Sequence, residues 1–253
     1  MRKIERVPLS DATTDFLWAR RLKVVRAGDE RPKDRSDAQY QEANRPWDQQ
    51  RNLAFDEIKT KLRDAMSPGH GLCMYCEDSA GSTIDHYRPR QLYPTRSFEW
   101  DNLLWSCSIC NTTYKGAQFP LDARGLPLLI DPTRDDPSEH LTLAPRTGKL
   151  EGRTPKGQST IRVLGFDRRG HLDQRRAMTW RSVQRLLVDF DDSATRGDFR
   201  AALAAQKDLC HYPHASVLNV LIETLAKPRG ALLVQEKRCE DILARYPEIR
   251  DWV

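Results

Sequence analysis

In the last third of the chain, apolar residues recur every three to four positions. Trp180, Val183, Leu187 and Phe190 share one face of a helix predicted to start after about Gln174, and Phe199, Ala202, Leu203 and Leu209 share one face of a second. Two more helices are predicted over 215–226 and 231–246, separated by Lys227-Pro228-Arg229-Gly230. Near the start, the apolar stretch around Phe16–Val25 predicts a short helix docked on the body, and residues 28–36 (GDERPKDRS) read as a linker. Leu53, Ile58, Leu62 and Met66 predict a helix from about Trp47 to Met66, stopped by Ser67-Pro68-Gly69. Helical periodicity is lost between 70 and 125, where Cys, Gly, Pro and aromatic residues suggest short strands and loops. Residues 126–172 read as an irregular connector with short strands at Leu128–Ile130 and Thr160–Leu164, punctuated by Pro132, Pro137, Pro145 and Pro155.

The expected organisation is therefore a helical segment over 1–69, a compact core over 70–125, a connector over 126–173 and a helical region over 174–253. Its 253 residues suffice for one large domain or a core with appended modules. No run of about 18 apolar residues exists, so no membrane span is expected. The opening MRKIERVPLSDATTD lacks the apolar centre of a signal peptide, so a cytoplasmic location is expected. Charge is unevenly spread. Residues 146–185 carry eleven Lys/Arg against three acids, which leaves +8 there and −3 over the rest of a chain of net charge +5. Such a basic connector is either a polyanion-binding face or a partner-docking surface. No GxxxxGK[ST] sequence occurs, so a nucleotide is not bound through a P-loop.

Four of the six cysteines stand as two tight pairs, Cys73/Cys76 and Cys107/Cys110, with 30 residues between the pairs. Each CxxC turn sets two sulfurs on one side, and two turns can close a tetrahedral shell of thiolates. Thiolates are soft ligands, so zinc in a structural role is the expected occupant. Neither pair opens a thioredoxin-like βα unit, which disfavours redox chemistry. Cys210 and Cys239 stand alone in predicted helices and read as small apolar fillers. His70 is assigned no role, since four cysteines already close the shell, and His140, His171, His211 and His214 read as structural or surface residues.

The stretch between the pairs carries Asp85-His86-Tyr87-Arg88-Pro89 and then Asp101-Asn102-Leu103. Asn111 follows the second pair directly, with Lys115-Gly116 after it. A neutral imidazole can take a proton from water near physiological pH, which suits His86 to a general base. Asp85 and the amide oxygen of Asn111 offer the hard oxygens that a magnesium-type ion (Mg2+ or Mn2+) prefers. Neighbours on a strand point to opposite faces, so Asp85 and His86 share a site only where the strand ends or distorts.

This order of Asp-His, Asn-Leu, Cys-Asn and Lys-Gly resembles that of the HNH endonucleases. The resemblance implies an α+β chain built on a zinc-bound ββα-metal core, in which a hairpin carries Asp85 and His86 and a helix supplies Asn111. It also implies that Asn102 orients the loop bearing His86. Lys115 would bind phosphate, although three residues rather than the usual two separate it from Asn111. Arg88 and Arg90 flank the site and either hold phosphates or are plain surface charge. Further stretches resemble the HNH subunits of Septu anti-phage defence, also found with some retrons. These are MRKIERVPLS, the Cys-x-Tyr-Cys-Glu knuckle, Phe98-Glu-Trp-Asp-Asn-Leu, Tyr114-Lys-Gly-x-x-Phe119-Pro120, Leu129-Ile-Asp-Pro132 and Thr160-Ile-Arg-Val-Leu164. The resemblance runs from residue 1 to about 176 and implies an ABC-type ATPase partner on a separate chain. The expected activity is metal-dependent cleavage of DNA. Two alternatives stay open: an RNase that cuts tRNA, and an inactive zinc-stapled module that only binds nucleic acid.

Overall fold

The computed structural model describes residues 1–48, 52–69 and 71–252. Helix α1 (Asp11–Glu30) opens on Ser10, whose hydroxyl accepts from the Thr13 amide, a standard N-cap. It is twice the length that its apolar stretch suggests, and it turns through Pro32–Asp34 into α2 (Arg35–Asp48). The expected linker over 28–36 is thus a tight helix–helix corner. Asn52 caps α3 (Leu53–Thr60), which continues as a π-helical turn over Lys61–Met66. The helix expected from about Trp47 therefore starts at Leu53, because Asn52 supplies a cap that the apolar spacing does not register. Part of that expectation, and the one on His70, lies outside the described residues. Glu57 of α3 accepts hydrogen bonds from the Ser10 amide (2.8 Å) and hydroxyl (2.6 Å) and from Thr13, tying α3 to the start of α1.

Two antiparallel hairpins follow. Strand β1 (Thr83–His86) pairs with β2 (Leu103–Ser106), with Asp85 opposite Leu104 and His86 opposite Leu103. A second π-helical turn runs over Ile109–Lys115. After the short helix α4 (Pro137–His140), β3 (Leu141–Leu143) pairs with β4 (Leu150–Gly152). Gly148 lets this hairpin press on the later helix that carries Asp173: its φ is +71°, and a Cβ there would lie 1.8 Å from the Asp173 carbonyl oxygen. Two expected strands are absent. Residues 128–130 lie outside the strands, and Thr160–Leu164 belongs mostly to helix α5 (Pro155–Val163). Thr154 caps α5, and Pro155 is pre-organised at its first position. That start signal outweighs the β-branched run that suggested a strand.

The C-terminal region is α6 (Gly170–Thr195), α7 (Phe199–His211), α8 (Ser216–Leu225) and α9 (Arg238–Arg245). The helix expected over 231–246 is shorter, because Gly230–Leu233 forms a 3-10 turn ahead of α9. The result is an α+β chain, mostly helical with few strands. Its apolar residues form two clusters. One gathers α1, α3 and the segment with the cysteine pairs around Ile58, Leu62, Tyr75, Leu103 and Leu104. The other gathers α6–α9 around Trp180, Leu187, Leu218 and Leu221. The C-terminal helices thus bury the expected Trp180-Val183-Leu187-Phe190 face against one another. Phe199 and Leu203 of the second expected face remain exposed, at 80% and 50%.

The two clusters join at the turn after Cys76. Asp78 accepts from Arg175 of α6 at 2.7 Å and lies 3.2 Å from the His214 ring. The Glu77 carbonyl accepts the His214 amide at 2.9 Å. No described helix is long and apolar enough to cross a membrane.

Candidate functional site

Cys73 and Cys76 sit on the turn before β1, and Cys107 and Cys110 on the turn after β2. All four are buried, and their sulfurs lie within 4.8 Å of one another, with Cys76 and Cys107 4.0 Å apart. A tetrahedral zinc with Zn–S bonds of about 2.3 Å needs sulfurs about 3.8 Å apart, so the four fit the ion expected. Burial pushes the Cys73 thiol well above its ordinary value. A divalent cation removes that penalty by holding the group as thiolate. The Cys110 amide faces Cys107 Sγ at 3.4 Å, and the Asn111 amide donates to the Cys107 carbonyl at 3.0 Å. The second cysteine pair therefore fixes the backbone that presents Asn111.

Asp85 and His86 end β1, and both line a cleft of about 290 Å3 together with Arg90, Asn111 and Gly116. Asp85 is 2% exposed and has a partner on each oxygen: Tyr75 donates its hydroxyl to Oδ2 at 2.7 Å, and Lys115 Nζ lies 2.9 Å from Oδ1. Tyr75 belongs to the first cysteine turn, so that turn touches Asp85 through one side chain. Lys115 also donates to the His86 carbonyl at 2.7 Å and is 1% exposed. Its charge is spent inside the protein rather than offered at the surface. The irregular spacing has a structural cause. The Gly116 amide donates to the Asn111 carbonyl at 2.7 Å, a bond across five residues. Such a π turn absorbs one extra residue, and it returns Lys115 to the buried side although three residues precede it.

The His86 ring is buried, with Nε2 3.0 Å from the Ser97 carbonyl oxygen. A carbonyl only accepts, so Nε2 carries the proton and the neutral ring keeps its lone pair on Nδ1. Burial, with Arg90 and Lys115 nearby, holds His86 well below its ordinary value. Asn102 clamps the 16-residue connection between β1 and β2. Its Oδ1 accepts the Arg88 amide at 2.7 Å, and its Nδ2 donates to the carbonyls of Arg88 (3.2 Å) and Arg96 (3.0 Å). Asn111 donates its amide hydrogen to Thr83 Oγ1 at 3.1 Å. Arg88 stacks over Tyr93 and Phe119 beside the cleft rather than in it.

For a hard divalent cation, the cleft offers Asp85 and the Asn111 amide oxygen. A carboxylate has about four acceptor positions, of which Asp85 uses two, so the donors fit such an ion beside Lys115.

Part of the basic connector is occupied within the fold, while Arg146, Lys149, Arg162, Arg181 and Arg185 are exposed. Arg169 and Arg176 are buried, Arg175 pairs with Asp78, Lys156 with Asp135 and Arg153 with Glu223. The pairings Tyr75–Asp85, Arg169–Cys110 and Asp78–His214 carry no signal in local spacing, since the partners lie 10 to 136 residues apart.

A buried four-cysteine cluster that could hold a metal ion joins a two-stranded hairpin to a helical turn, beside a polar cleft, in an α+β protein. In sequence the chain is close to Septu protein PtuB. It is 30% identical to the protein of that name from Bacillus mycoides (strain KBAB4) over 199 residues, 66% of this chain and 63% of that one. It is 35% identical to the one from Bacillus thuringiensis over 107 residues, 40% of this chain and 37% of that one. The matched stretch thus spans less than two thirds of either relative. No protein-family model and no solved structure matches the chain.

Proposed function

We propose that the chain is a metal-dependent HNH endonuclease that hydrolyses DNA, acting as the effector nuclease of a Septu-type anti-phage defence complex. The observation that carries this reading is one cleft lined by Asp85, His86 and Asn111, with the cysteine centre bonded to the backbone of Asn111 and, through Tyr75, to Asp85. In this reading Asp85 and Asn111 hold Mg2+ or Mn2+, which when bound would supply Lewis-acid stabilisation of the leaving oxygen. His86, neutral and oriented by Ser97, accepts on Nδ1 the proton of the water whose oxygen attacks phosphorus. The leaving oxygen departs as that new P–O bond forms. Asn102 holds the His86-bearing connection in place, and Arg88 and Arg90 contact phosphates. Zinc at Cys73, Cys76, Cys107 and Cys110 keeps hairpin and helical turn in register.

The similarity to PtuB supports a defence role and, with it, a partner that is an ABC-type ATPase of the PtuA kind. One observation favours a second reading, a zinc-stapled binding module without catalysis: both oxygens of Asp85 already have protein partners. A single assay separates the two. Purified chain, with and without the ATPase, is incubated with plasmid, single-stranded DNA and tRNA while Mg2+ or Mn2+ is titrated. The nuclease reading expects metal-dependent plasmid cleavage that EDTA stops. Binding without cleavage of any substrate supports the module, and cleavage of tRNA alone makes the enzyme an RNase.

A further inference from the structure

The loop between α5 and α6 carries a buried arginine that the proposed function leaves unused. Arg169 is 2% exposed and 59 residues from Cys110 in sequence, yet its Nη1 lies 3.2 Å from Cys110 Sγ. Among the described residues it is the one cationic side chain within hydrogen-bond distance of a sulfur of the four-cysteine cluster. Its Nε and Nη2 have no hydrogen-bond partner among the described residues. A buried guanidinium with two idle donors is costly unless an anion offsets it.

Four thiolates around one Zn2+ supply that anion, because they leave a net charge of −2 in the interior. The second buried arginine nearby, Arg176, already has a carboxylate, Asp173, at 3.0 Å. Arg169 has none. It also lies over two aromatic rings: the guanidinium carbon is 5.6 Å from the Tyr114 ring centre and 6.0 Å from that of Phe166. Tyr114 in turn packs on Gly165, where a Cβ would come within 2.1 Å of the ring. Gly165 also has φ +62°, so a side chain there is both strained and obstructed. The loop is therefore shaped to bring Arg169 between the cysteine cluster and the turn that carries Asn111 and Lys115.

We propose that Arg169 is the outer-sphere counter-ion of the zinc–thiolate centre, a positioning residue that donates to Cys110 and sets how tightly the metal is held. The proposal rests on the four cysteines holding zinc and does not depend on cleavage activity. Groups in this outer position typically change metal affinity by about 10- to 100-fold when removed.

The test uses the full chain and three variants, R169M, R169K and R168M. Arg168 lies on the same loop, stacks on Tyr114 and is exposed, with no contact to a sulfur. Zinc content is measured first, then zinc transfer to a chromogenic chelator, then the sulfur-to-metal absorption band after cobalt substitution. R169M is expected to weaken zinc binding by about 10- to 100-fold and to move the cobalt band to longer wavelength, because a thiolate that loses a hydrogen bond is a better electron donor. R169K is expected to lie between R169M and the wild type, and R168M to match the wild type. A wild-type protein without zinc overturns the metal centre and this proposal together. Wild-type zinc affinity and an unmoved band in R169M overturn this proposal alone, as does an equal loss in R168M. If R169M does not accumulate in soluble form, R169K decides: wild-type affinity and band position there overturn the proposal.

Discussion

Lys115 and Asp85 form an ion pair in which the side chains are 0% and 3% exposed, with Nζ and Oδ1 2.9 Å apart. Two buried charges tolerate each other's presence far better than either tolerates the other's loss. Lys115→Met keeps the length of the side chain and removes the ammonium, leaving Asp85 with Tyr75 alone and the His86 carbonyl without its donor. Removal of one partner of such a pair typically costs about 3–5 kcal/mol. For a chain of this size, one kcal/mol moves Tm by about 2–4 °C, so a fall of about 6–20 °C is expected. Asp85→Asn strands the ammonium instead and should cost a similar amount. The double variant removes both charges and should recover a large part of the loss, a coupling of about 0.5–3 kcal/mol in a double-mutant cycle. Thermal unfolding with zinc content measured in parallel is the assay. If Lys115→Met stays within about 1 °C of the wild type, or the double variant shows no recovery, the pair is not a buried charge pair and Lys115 is available at the surface.

Cys107→Ser should lower solubility and thermal stability and take zinc well below about one per chain, since structural zinc contributes folding energy directly; a stable, zinc-free wild-type protein contradicts this. Hydrogen bonds from the Ser10 and Thr13 hydroxyls hold the Glu57 carboxyl below its ordinary value of 4.5. The stability this gives is present above pH 4.5 and is lost as pH falls through the lower, folded value. Glu57→Gln should therefore flatten the acid limb of a stability–pH curve below pH 4.5, and an unchanged limb counts against the contact.

The parts of the structure legible in sequence are those written in local spacing. The CxxC pairs define a four-sulfur cluster because each turn is four residues long. The Trp180–Phe190 face defines α6 because its period is helical. Spacing misled where a cap or a turn decided the outcome. Thr154 with Pro155 turned the expected strand at Thr160–Leu164 into α5, and a π turn returned Lys115 to the interior despite its extra residue. Charge counting was limited for a different reason: a sequence does not say that Arg175 meets Asp78 or that Arg169 meets Cys110. Such long-range pairs exist only once the two hydrophobic clusters have packed together.

The central claim is that His86 is the base of a metal-dependent nuclease, and one comparison tests it most directly. Wild-type chain and His86→Ala, matched for zinc content and Tm, are incubated with plasmid, Mg2+ and the ATPase, and the rates of strand cleavage are measured. Loss of a general base typically costs about 10²–10⁴-fold in rate, so cleavage should fall by that factor while zinc and fold are retained. Near wild-type cleavage by His86→Ala would contradict the account.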